Sequence, residues 1–115
     1  MITEDFVSFE VSNLLKEKGA FSDIDLHWKY YADGKKDYRI THQTAMKWLR
    51  EIHKISVEIY CIPSYTKGLV VWRYMIRNCE TCDEVDYPNG YPAQEYLIFE
   101  EAVEAALIFT LKNLI

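Results

Sequence analysis

The chain has little in it that bends, staples or anchors. Four Gly and three Pro among 115 residues exclude a collagen-like fibre or a Pro/Gly-rich disordered polymer. Three Cys, an odd number, do not make a disulfide scaffold and fit a reducing compartment. No apolar run approaches the ~18–20 residues of a membrane span. The late run Ala105–Leu111 is closed by Glu104 and Lys112. The start, Met1-Ile2-Thr3-Glu4-Asp5, is acidic where a signal peptide is basic, so a cytoplasmic protein with no membrane partner is expected. Positive charge is also short. Lys+Arg total 13 against 18 Asp+Glu, a net charge of −5, which argues against a general nucleic-acid binder. Nucleophile and phosphate motifs are missing: no G-x-S-x-G, no Gly-rich phosphate loop, no H-E-x-x-H. No catalytic residue and no cofactor is therefore expected.

What is present is apolar surface. Half the residues are hydrophobic, far more than a disordered chain carries. At this size roughly two thirds of the unfolded surface is buried on folding, enough for a core without metal or disulfide. Residues 1–115 read as one domain. Charge is uneven along it: residues 1–50 are neutral, 51–77 carry +2 and 78–115 carry −7.

Periodicity predicts three helices and four or five strands. Thr3 as N-cap, acids at 4 and 5, a stripe of Val7, Val11, Leu14 and Leu15, and a stop at Gly19 predict a helix over 4–18. Phe9 lies opposite that stripe. Ile24, Leu26, Trp28 and Tyr30 alternate as one strand, Asp33-Gly34 turns, and Tyr38 with Ile40 forms the next. Thr41 caps a helix over 42–54 with Ala45, Trp48, Leu49 and Ile52 inward. Strands over 55–62 and 69–77 follow, then a Pro88-Asn89-Gly90 turn and a short fifth strand within 91–97. A last helix covers 100–113, with Ala102, Val103, Ala106, Phe109, Thr110 and Leu114 on one stripe and Ile108, Leu111 and Ile115 roughly opposite. The order α-β-β-α-β-β-(β)-α predicts a two-layer α+β domain, a four- to five-stranded, mostly antiparallel sheet covered by three helices. Trp28, Trp48 and Trp72 are expected in its core.

Three stretches, ITEDFVSFEVSNLLKEKG, THQTAMKWLREIH and FEEAVEAALIFTLKNLI, carry a resemblance. Together they resemble a family of small uncharacterised proteins of gut anaerobes, some found in phage-like or mobile elements. The resemblance spans most of the chain except Cys79–Pro92. It implies a small stand-alone cytoplasmic α+β protein and carries no activity and no catalytic motif.

Few constellations offer chemistry. Cys79-x-x-Cys82 could give two thiolates to a zinc ion or form a redox pair. A zinc site needs four ligands, the remaining candidates are Cys61, His27, His42 and His53, and no second C-x-x-C exists. Glu80, Asp83 and Glu84 around the pair disfavour thiolate. Two metal-free loop cysteines is the expected outcome. The acidic run Glu80–Asp86 lacks the ligand spacing of a calcium loop. His42 and His53 stand about 16 Å apart along a helix, too far to share an ion. Each is expected to satisfy itself by a hydrogen bond. Glu100, Glu101 and Glu104 read as the charged start of the last helix.

Nine Tyr and three Trp complete the inventory. Tyr31, Tyr60, Tyr65, Tyr87 and Tyr91 are left over once the core is filled. Strands 55–62 and 69–77 are apolar on both faces, so either the three helices cover both faces or, if they lie on one only, one copy of the chain leaves apolar surface over. The expected function is a non-enzymatic interaction module that self-associates as a homodimer, with or without another protein partner. Phe9, Tyr60, Ile62, Val71, Met75, Ile108 and Leu111 are the candidate interface, with Arg73 and Arg77 at its rim or paired with acids of the partner copy. One alternative is a small ligand-binding domain or enzyme with a Tyr-lined pocket. Another is an acidic partner or decoy that engages a basic surface through Glu80–Glu104.

Overall fold

A computed structural model describes residues 5–24, 27–30, 36–64, 68–85 and 94–115, and of 27–30 and 36–39 it describes the backbone path. The expected Thr3 cap, Leu26, the Trp28 and Tyr30 side chains, His27 as a ligand, both Gly turns, Asp86, and Tyr31, Tyr65, Tyr87 and Tyr91 lie outside the described residues.

Residues 5–7 are extended. Val7 N–H donates to Ile40 C=O at 2.8 Å and His42 N–H donates to Asp5 C=O at 3.1 Å. That pairing keeps residues 5–7 out of a helix. Helix α1 (Phe9–Glu17) starts later than its acids suggest, capped by Ser8, whose hydroxyl accepts from Val11 N–H at 3.2 Å. Val11 and Leu15 are buried and Phe9 is 79% exposed, as the phase requires. Gly19 ends the helix in the left-handed region at φ 82°, open to Gly without strain. Ile24 then belongs to a turn rather than a strand, its N–H bonded to Ala20 C=O.

Strands β1 (His27–Tyr30) and β2 (Lys36–Arg39) form an antiparallel hairpin, His27 opposite Arg39. Thr41 caps α2 (His42–Ile52), its hydroxyl accepting from Thr44 N–H at 3.1 Å. Ala45, Trp48 and Leu49 are buried, and Trp48 Nε1–H donates to Asp23. Ile52, expected inward, is half exposed because the helix ends there. Strand β3 (Ile55–Pro63) pairs with β4 (Val70–Asn78) over nine uninterrupted positions, from Ile55 opposite Asn78 to Pro63 opposite Val70.

The expectation of one four- to five-stranded sheet is wrong. Among the described residues there are two separate two-stranded ribbons, β1–β2 and β3–β4. Alternation identifies a strand without identifying its neighbour. Here the continuation of β2 pairs with residues 5–7, and α2 separates the two hairpins along the chain. In the described part of the expected fifth strand, residues 94–97, there is one bridge, Tyr96 with Trp72, and a second bridge joins Glu84 to Arg77. Both lie on the free side of β4.

Helix α3 (Phe99–Asn113) is the centre of the domain and packs on α1, α2, β3 and β4. Ala102, Val103, Ala106, Leu107, Thr110 and Leu111 are buried. A helix enclosed from several directions needs apolar residues around most of its circumference, which is what its second half supplies. Tyr74 and Ile76 of β4 meet it from the ribbon. Among the described residues no helix is long and apolar enough to cross a membrane.

Candidate interaction surface

The seven residues expected to form an interface separate into two groups. Phe9 is open, and Tyr60, Ile62, Met75 and Ile108 are partly exposed. Val71 and Leu111 have no accessible surface at all. They are corrections: each lies in the interior of its own chain and is out of reach of a second copy. Val71 sits on the β4 face away from Tyr74 and Ile76, beside the region where buried Ser64 donates to Glu95 at 2.8 Å. That face is therefore not bare at its upper end. Of the three tryptophans, Trp48 is buried and Trp72 is partly exposed, with its ring edge-on to Phe99 at 5.1 Å.

Both arginines find an acid within the chain, although Arg73 Nε is buried without a hydrogen-bond partner among the described residues. Arg73 pairs with Glu95 at 3.1 Å and Arg77 with Glu58 at 2.9 Å. Of the two roles expected for them, pairing with acids is met within the chain, which leaves the place at the rim as the one that concerns a second copy.

Several acids of the last third are likewise engaged. Glu104 Oε1 accepts from Ser8 N–H at 2.9 Å and lies 2.8 Å from His42 Nε2. His42 is 6% exposed. It satisfies itself by a hydrogen bond, as a boundary histidine should. Burial alone pushes the Glu104 carboxyl up; the bonds from His42 and Ser8 and the electrostatic pull of His42 together outweigh it and hold the carboxyl below its ordinary value. Glu104 is thus a tie between the starts of α1 and α2, 62 residues from His42 in sequence, and local reading of the helix start had no means to find it. His53 instead packs edge-on against Trp48 at 4.6 Å. Burial raises the Tyr74 hydroxyl, helped by Tyr96 beside it, and burial raises Tyr96 too.

The cysteine turn is held by its backbone. Asn78 Oδ1 accepts from Glu80 N–H and Thr81 N–H, Cys82 N–H donates to Asn78 C=O, and Cys82 takes φ 65°. Both thiols are exposed, and no cluster of three metal-ligating groups occurs among the described residues. Elemental analysis of protein purified without chelator is expected to find no stoichiometric zinc; one zinc per chain would make Cys79 and Cys82 metal ligands.

Among the described residues, two surfaces have no partner. The first is a cluster at the open end of the β3–β4 ribbon. Tyr96 opposite Trp72 brings the segment before α3 alongside the start of β4, and Leu69, Val70, Leu97, Ile98 and Phe99 are all exposed there. The second is the outer edge of β3. Trp72 exchanges both backbone bonds with Tyr96 at 2.7 and 2.9 Å, and Ile76 C=O accepts from Val85 N–H, so these residues point away from β3. Their register partners Cys61 and Val57 must then point away from β4. Ile59, between them, does the same. Among the described residues nothing bonds to the outward N–H and C=O groups of Val57, Ile59 and Cys61.

No protein-family model, curated protein or solved structure matches the chain.

Proposed function

We propose that the protein is a non-enzymatic interaction module that associates with copies of itself. The observation that carries this reading is the β3 edge. It is nine residues long, about 30 Å at strand rise. Its pairing with β4 is unbroken by any bulge. It carries no Lys, and its Pro stands at the last position. Proteins that keep such an edge monomeric shorten it, twist it with a bulge, place charges or inner Pro on it, or cover it with a helix or loop; among the described residues no backbone group bonds the outer side of β3. The residues whose backbone faces outward, Val57, Ile59 and Cys61, have apolar side chains as well.

The acidic-decoy reading is weakened by the same geometry. Glu95 and Glu104 are spent on Arg73 and His42, so the negative charge of the last third is not one outward face.

Sedimentation equilibrium at micromolar concentration is expected to give a dimer. A monomer mass throughout that range would reject self-association.

A further inference from the structure

We infer that two copies pair antiparallel along β3, in the register that overlaps the whole strand, with Ile59 opposite Ile59 of the second copy. This rests on the self-association reading and specifies where and how it occurs.

Only residues with outward backbone groups can bond across an edge, and in β3 these are the odd-numbered positions Ile55 to Pro63. A two-fold pair can therefore be centred on any residue, and side-chain chemistry must choose. Centring on Glu58 sets Glu58 against its own copy, a like-charge pair directly opposite, which is destabilising. Centring on Tyr60 keeps like charges apart but leaves Ile55 and Ser56 beyond the end of the second strand. Centring on Ile59 pairs the full strand. Val57 then faces Cys61 of the second copy, Glu58 faces Tyr60, Ser56 faces Ile62 and Ile55 faces Pro63. No charge meets its like. The N–H of Val57 donates to Cys61 C=O across the seam, the N–H of Cys61 donates to Val57 C=O, and the two Ile59 residues exchange both bonds. Pro63, which has no N–H, needs only to accept from Ile55.

Packing points the same way. The two-fold axis stands perpendicular to the ribbon, so the core-side faces of the two copies lie on one side. Cys61, exposed in the single chain, acquires Val57 as its neighbour. Partly exposed Ile59 meets itself, and partly exposed Tyr60 and Ile62 line the opposite face next to the seam.

Disulfide trapping tests the register. In a Cys79→Ser, Cys82→Ser background, Val57→Cys is placed opposite Cys61 of the second copy at a Cα spacing of about 5.5 Å, inside the range a disulfide spans. Within one strand, positions 57 and 61 are about 13 Å apart and cannot bridge. Mild oxidation is expected to convert Val57→Cys largely to covalent dimer, while Cys61 alone stays uncross-linked. Ile59→Cys with Cys61→Ser is expected to cross-link to itself. Cys61→Pro removes an outward N–H that no described backbone group of its own chain uses and fixes φ at a value tolerated on edge strands, so it should lose the dimer in sedimentation and keep a cooperative thermal transition. A wild-type monomer would sink self-association itself. A wild-type dimer that traps through Cys61 alone would overturn the register and leave self-association standing. A dimer that survives Cys61→Pro but is lost in Leu97→Glu would move the contact from the edge to the apolar end of the ribbon.

Discussion

Leu111→Ala is expected to lower the unfolding free energy by about 2–5 kcal/mol, much of the 5–15 kcal/mol typical of a domain. Leu111 has no accessible surface and belongs to the core that α3 forms with α1, α2 and the β3–β4 ribbon. Removing its branched end takes away buried methyl groups and leaves a cavity that a helix held from several sides closes poorly. Ile108, one turn earlier and partly exposed, gives the control: Ile108→Ala should cost clearly less. Urea denaturation followed by circular dichroism measures both. Equal losses for the two variants would show that α3 is not enclosed as described. The same logic governs Val71. A carboxylate there reports on folding and not on assembly, because the site is sealed within its own chain.

How much of this was legible depended on the range of the signal. Thr41 with the stripe Ala45, Trp48 and Leu49 is a local pattern, and α2 begins where that pattern says. The alternation of β3 and β4 and the apolar density of α3 are local too, and their bounds fall within one residue or so of expectation. Pairing is not local. Period two says that Val71 shares a face with Arg73 and Met75, but whether something covers that face depends on chain far away in sequence. Leu111 failed for a related reason. Its angle placed it opposite one stripe, and only the number of elements around α3 decides that the opposite side is also interior. Helix α1 starts later than the sequence predicts because Thr3 and the acids after it have the pattern of a cap, while residues 5–7 are drawn into pairing with residues 40–42. Arg73 and Glu95 found each other across 22 residues, and His42 and Glu104 across 62, distances at which helical or strand spacing carries no information.

Replacing Glu104 by Gln is expected to cost about 1.5–3 kcal/mol at neutral pH, the range for hydrogen bonds to a charged group. The carboxylate side chain is 23% exposed and accepts from the N-cap backbone of α1 while it meets the first residue of α2. One group therefore fixes the approach of two helices to a third. A Gln keeps the shape but loses the charge that strengthens both bonds. The pH dependence follows from the direction of the shift. The folded-state carboxyl lies below its ordinary value of 4.5, so its stabilisation is complete above that value and is lost as pH falls through the folded-state titration. Stability of the wild type should accordingly decline on acidification below 4.5, and the Glu104→Gln variant should decline less over the same interval. The gap between the two proteins should be widest near neutrality and close in acid. Urea midpoints of both proteins across that range measure it. A gap that stays constant as the pH falls would mean that the charge of Glu104 contributes nothing, and that the cluster holds α1 and α2 by shape alone.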